Sequence, residues 1–162
     1  MSGTGETTAN FAGEEREFCI RLGEIRRIQA KCGNVGIGEI ARRLSKAVSL
    51  IRLVDGKSVS LVDVLSAGVE IHADDVREVL YQGLIGADMP SGDATALVRT
   101  EIDDRGFRGL LDNAGTALVV LLGSQQTPEA EEEEPGEPTA GTAPATRKSR
   151  STSKNSTASA KP

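Results

Sequence analysis

The stretch Asp74-Asp75-Val76-Arg77-Glu78-Val79-Leu80-Tyr81-Gln82-Gly83-Leu84-Ile85-Gly86-Ala87-Asp88-Met89-Pro90 sets the fold class. Two acids open it, where the positive end of a helix dipole favours negative charge. Val76, Val79, Leu80, Gly83, Leu84 and Ala87 then recur three and four apart, the apolar stripe of an amphipathic helix. Met89-Pro90 closes it.

Downstream the helical period continues. Ser91 reads as the next N-cap with Asp93 in the first turn, and Ala94, Leu97, Val98 and Ile102 mark a second helix that Gly106 ends. Phe107, Leu110, Leu111, Ala114, Ala117, Leu118, Leu121 and Leu122 mark a third, apolar around much of its circumference near its end. Such a helix is either central or part of an interface. The short connections favour antiparallel neighbours.

Upstream, Ser60-Leu61-Val62-Asp63 has the form of a capping box, with Val59 and Val64 at staple positions and a stop at Gly68. These signals together favour a helix over Leu61 to Ala67. The competing reading of residues 50–66 is a hairpin, Leu50–Val54 with Val59–Val62, turning at Asp55-Gly56. Ile37, Ile40, Ala41, Leu44 and Val48 mark an earlier helix whose far end, around Ser49 to Val54, stays open. Ile25, Ile28 and Cys32 mark another, stopped by Gly33-Asn34. Only at the start does the period change to two: Phe18, Ile20 and Leu22 alternate with polar residues up to Gly23, a short half-buried strand. Thr8 to Phe11 can pair with it across a turn at Gly13-Glu14-Glu15. The expected architecture is mainly α, a small domain of about five helices with a short N-terminal β-hairpin.

Composition divides the 162 residues in three: a flexible N-terminus over 1–13, a helical domain over 14–123, and a tail over 124–162. The tail lacks Leu, Ile, Val, Phe, Tyr and Met, so it has nothing to bury against the entropy of ordering and is expected to be disordered. Its six glutamates lie between Glu129 and Glu137, ahead of Arg147, Lys148, Arg150, Lys154 and Lys161. The 14–123 segment carries 17 acids against 14 bases, a poor electrostatic match for nucleic acid. Two cysteines, Cys19 and Cys32, are too few for a disulfide scaffold, and no apolar run is long enough to cross a bilayer. No export signal is visible at the polar start, so the expectation is a cytoplasmic chain that does not enter membranes.

Each fragment of a chemical motif fails on spacing. Asp55-Gly56-Lys57-Ser58 has the end of a phosphate loop, but Ile51 stands where that loop needs glycine. Gly33, Gly36 and Gly38 lack both the spacing and the preceding strand of a dinucleotide fingerprint, and read as a tight turn between helices. Asp103-Asp104 are adjacent on a helix, so their carboxylates diverge by roughly 100° and read as a solvated helix end. His72 is the single histidine and reads as a helix-start residue. Cys19 and Cys32 have no histidine partner and form neither a nucleophile nor a zinc site. The expectation is a protein that works by binding, with no catalytic residues, no cofactor and no metal.

Three stretches in order, Arg16-Glu17-Phe18-Cys19-Ile20-Arg21-Leu22-Gly23-Glu24-Ile25, Asp75 through Ala87, and Ala94-Thr95-Ala96-Leu97-Val98-Arg99 followed by the apolar closing helix to Gly123, carry a resemblance. With them, residues 14–123 resemble the small tail-assembly proteins of gene transfer agents and siphophage-like prophages, a family labelled either tail tube or tail assembly chaperone. The segment Ala47 to Ile71 is longer than that pattern, and Ala87-Asp88 stands where the family tends to keep glycines. The resemblance implies a chaperone that coats the long, apolar, helical tape measure protein and keeps it soluble while tube subunits polymerise around it. Tail tube subunits, and further copies of the chain itself, are the other partners it implies. A structural tube subunit is the alternative, and it would need long alternating strands. A DNA-associated regulator using the basic end of the tail is a third reading. An apolar client helix is gripped through anchors at i, i+3, i+4 and i+7. The candidates are Tyr81, Leu84, Ile85 and Met89 on the central helix and Leu118 and Leu122 on the closing one.

Overall fold

The computed structural model describes residues 5–53 and 60–126, which form one antiparallel β-hairpin and six α-helices. Strands β1 (Glu6–Phe11) and β2 (Glu14–Cys19) pair with Glu6 opposite Cys19 and Phe11 opposite Glu14. That register leaves Ala12-Gly13 as a two-residue turn with φ of 57° and 79°. Two positive φ values match the twist of the flanking strands. The turn therefore sits ahead of the expected Gly13-Glu14-Glu15. The assignment of 1–13 to a flexible terminus is likewise corrected for Glu6–Phe11. The strand expected over Thr8 to Phe11 is present and starts two residues earlier, at Glu6, in a stretch whose one large apolar side chain is Phe11.

Phe18 and Ile20 are buried as the alternation predicts, but Leu22 is exposed. The chain has already turned into α1 (Leu22–Lys31), so Gly23 lies inside a helix and does not end the strand. The Glu24 carboxylate accepts the backbone N–H of Arg21 at 3.1 Å and fixes that helix start. Gly33 and Asn34, both at positive φ, stop α1. Helix α2 (Ile37–Leu53) buries Ile40, Leu44, Ala47 and Leu50. It runs through Leu50–Leu53, which removes the hairpin alternative for 50–66. Helix α3 (Leu61–Ser66) starts at the expected capping box: Ser60 Oγ accepts from the Asp63 N–H at 3.2 Å, and Asp63 Oδ2 accepts from the Ser60 N–H at 2.9 Å. The Gly-Lys-Ser fragment, the staple residue Val59 and the tail from residue 127 onward lie outside the described residues.

Helix α4 (Ala73–Gly86) is the centre of the domain, in contact with β2, α1, α2, α5 and α6. Helix α5 (Ser91–Val98) starts after Pro90, so Ser91 is its first residue and not its cap. It passes into a π-helical turn, Arg99–Asp103. The buried side-chain amide of Asn113 satisfies that turn, donating to the Glu101 carbonyl at 3.3 Å and the Gly109 carbonyl at 2.9 Å. Gly106 begins α6 (Gly106–Gly123). This helix buries Leu111, Ala114, Ala117, Val120 and Leu121 against α2, α4 and β1. It also holds the outer edge of β1, where the Thr116 hydroxyl donates to the Asn10 carbonyl at 3.2 Å.

The hairpin docks on α4 at two glycines. Phe18 packs over Gly83, where a β-carbon would come within 2.9 Å of its ring, and the Cys19 carbonyl lies against Gly86, where a β-carbon would overlap it. Phe11 meets Phe18 edge-on with ring centroids 6.2 Å apart. The helices thus cover the apolar face that a lone hairpin would leave wet.

Candidate partner-binding surface

The structure separates the six candidate anchors. Leu84 is fully buried in the core, and its assignment as a partner-binding residue is corrected. The reason is topological: α4 has neighbours on several sides, so its stripe meets the rest of the domain and not a client. Tyr81, Ile85, Met89 and Leu118 are half-buried at the margin of the same core. Tyr81 lines a cavity of about 210 Å³ with Arg77, Glu78, Thr95 and Val98, whereas Met89 lines a different groove. Leu122 alone among the six is exposed, and Val119, one turn before it, is exposed too.

The larger apolar exposure is on α3. Leu61, Val62 and Leu65 are 58%, 69% and 70% exposed, and Val64 is the single residue the helix buries. Positions i, i+3 and i+4 adjoin on a helix surface, so these three side chains form one outward face. Leu53, at the end of α2, is also largely exposed. The signal was present in the composition of the segment: four aliphatic residues among the six of Leu61–Ser66 cannot all face one side of so short a helix.

The charged groups are arranged for structure. Glu39 takes bonds from Arg42 and Arg43, and these hold its carboxyl down at about 2. Arg43 also reaches toward buried Asp75, with Nη1 3.5 Å from Oδ2. Burial pushes the Asp75 carboxyl up, while the Cys32 thiol and Arg43 pull it back. Burial, and then the nearby Asp75 carboxylate, push the Cys32 thiol up to about 12. Burial raises Cys19 too. Neither sulfur is a thiolate at neutral pH, and the thiolate is the reactive form.

Asp103 and Asp104 diverge to separate partners, Arg77 at 3.3 Å and Arg99 at 3.6 Å. His72 stands at the N-cap position of α4 without a side-chain capping bond, its Nε2 3.5 Å from Glu70 Oε2. Among the described residues no three His, Cys, Asp or Glu side chains are grouped to hold a metal ion, and no helix is long and apolar enough to cross a membrane. Compared with protein families, with curated proteins and with solved structures, the chain matches none.

Proposed function

We propose that this protein is a tail assembly chaperone that binds a helical, apolar tape measure protein and keeps it soluble while the tail tube polymerises. The observation that carries the reading is the outward face of α3, where Leu61, Val62 and Leu65 stand exposed on a helix whose one buried residue is Val64. Contiguous apolar patches on a soluble surface mark sites of interaction. An aliphatic ridge on a short helix suits the side of an amphipathic client helix. Contacts of this size are individually weak, and repeated along a long client they add up while leaving the chaperone displaceable. The hairpin supports this reading over a tube subunit, since two strands of six residues give little from which to build a ring wall.

Co-expression tests it. A tape measure fragment from the same genome should be soluble beside the wild-type chain and largely insoluble beside the double variant Leu61→Asp/Leu65→Asp. Both positions are exposed, so the variant's thermal midpoint should stay within about 2 °C of wild type. Equal rescue by the variant overturns the assignment of the surface. Recovery of the chain as a stoichiometric ring component of finished particles overturns the function.

A further inference from the structure

Strand β2 has β1 along one edge and, among the described residues, no strand along the other. The register decides which groups face the open side. Phe11 and Glu14 flank the two-residue turn, and the Ile20 N–H donates to the Gly5 carbonyl at 3.0 Å. Glu14, Arg16, Phe18 and Ile20 therefore direct their backbone N–H and C=O groups at the partner strand, and Glu15, Glu17 and Cys19 direct theirs away from it. At Cys19 the end of α4 closes the open edge. At Glu15 and Glu17 the edge borders a groove of about 570 Å³, whose far wall is the corner between α4 and α5, with Asp88, Met89, Pro90, Asp93 and Leu97.

The charge of this groove is one-sided. Glu15, Glu17, Asp88 and Asp93 line it, and none of them has an ion-pair partner among the described residues. Arg16, the one cation in the lining, is engaged at the turn: its Nη2 binds Glu14 at 2.6 Å and its Nε donates to the Phe11 carbonyl at 3.2 Å.

We propose that the open edge of β2 takes up an extended, lysine- or arginine-bearing segment of a partner polypeptide as a third strand. Its backbone pairs with Glu15 and Glu17, an apolar side chain rests on Met89 and Leu97, and its cations lie among the four carboxylates. Main-chain pairing supplies the grip in strand addition, and charge complementarity selects the partner. A second copy of this chain is the poorer occupant. Two β2 edges related by a two-fold would set the glutamates of one against those of the other. The inference is independent of the chaperone reading and uses different residues.

The test is fluorescence anisotropy on the full chain with a labelled eight-residue peptide of alternating lysine and valine. The same peptide with glutamate for lysine, and the lysine peptide N-methylated at alternate residues, are the comparisons. The lysine peptide should bind saturably and more weakly as salt rises; the glutamate peptide should not bind. The methylated peptide should bind about tenfold or more weakly, because it keeps the charge and loses the main-chain donors. Glu17→Pro removes one outward N–H and leaves the ladder to β1 intact, so it should weaken binding similarly, with circular dichroism confirming the fold. If that variant does not fold, the methylated peptide decides the matter on the unmodified protein. Equal binding of both lysine peptides overturns strand addition. No saturable binding means that the carboxylates only guard the edge against pairing. A dimer that Glu17→Pro abolishes would assign the edge to self-association and overturn the basic partner.

Discussion

In the first turn of α4 two neighbouring carboxylates meet opposite fates. Asp74 is exposed, while Asp75 is buried beside Arg43 with neither oxygen hydrogen-bonded. Its folded pKa is raised above the unfolded value, so the folded state holds this proton more tightly. The stabilisation is full below the unfolded pKa and is lost as pH rises through the folded one. Asp75→Asn removes that titration and leaves those of the other carboxylates, including Glu39, which runs in the opposite sense. The stability difference between variant and wild type, from urea unfolding, should therefore shift in the variant's favour between pH 4 and pH 7. A difference that stays constant across that range would mean that Asp75 is solvated.

At the scale of an element, α3 is the weakest part of the described fold. It is six residues long, and isolated helices of that length do not persist in water. Its cap satisfies the first turn, where the Ser60 backbone N–H and then its hydroxyl hold the Asp63 carboxyl below its ordinary range. Native-state hydrogen exchange should show the amides of 64–67 exchanging through a local opening, well before those of Val79 to Leu84 in α4. Ser60→Ala should lower the opening energy by about 1 kcal/mol and leave global stability unchanged. Protection equal to that of α4 would show α3 to be tied into the core, and would weaken its claim as a docking face. The cap and the stop at Gly68 were legible because they are written in adjacent residues. That some of the four aliphatic residues must face outward was legible in their number, but not that Leu61, Val62 and Leu65 are the ones left exposed while Val64 is buried. Period tells which side chains share a face, and only the tertiary fold tells what covers it. The same gap explains Leu84, read as a client anchor and found in the core, and Asp75, read as a first-turn acid and found buried.

For the whole molecule, the question is what joins the hairpin to the helices, and the answer lies in the smallest residues. The spacing of Val76, Val79, Leu80, Gly83 and Leu84 predicted a stripe, and it is the buried face of α4. It did not predict that Gly83 and Gly86 would serve as the floor on which β2 lies, because a missing side chain leaves no trace in a hydrophobic period. Two glycine substitutions separate close docking from simple helix propensity. At Gly86 a β-carbon overlaps the Cys19 carbonyl, and a strand backbone cannot swing aside as a flexible side chain can. Overpacking of this kind costs about 1–3 kcal/mol and sometimes more, so Gly86→Ala should lower the thermal midpoint by about 10 °C. At Gly115, inside α6, a β-carbon meets nothing within 4 Å. There the same change only removes unfolded-state entropy, and Gly115→Ala should raise the midpoint by about 2–4 °C. If Gly86→Ala melted with the wild type, the hairpin would not rest on α4, and the groove at its open edge would lose its far wall. If Gly115→Ala also fell, that face of α6 would be covered in solution by another molecule.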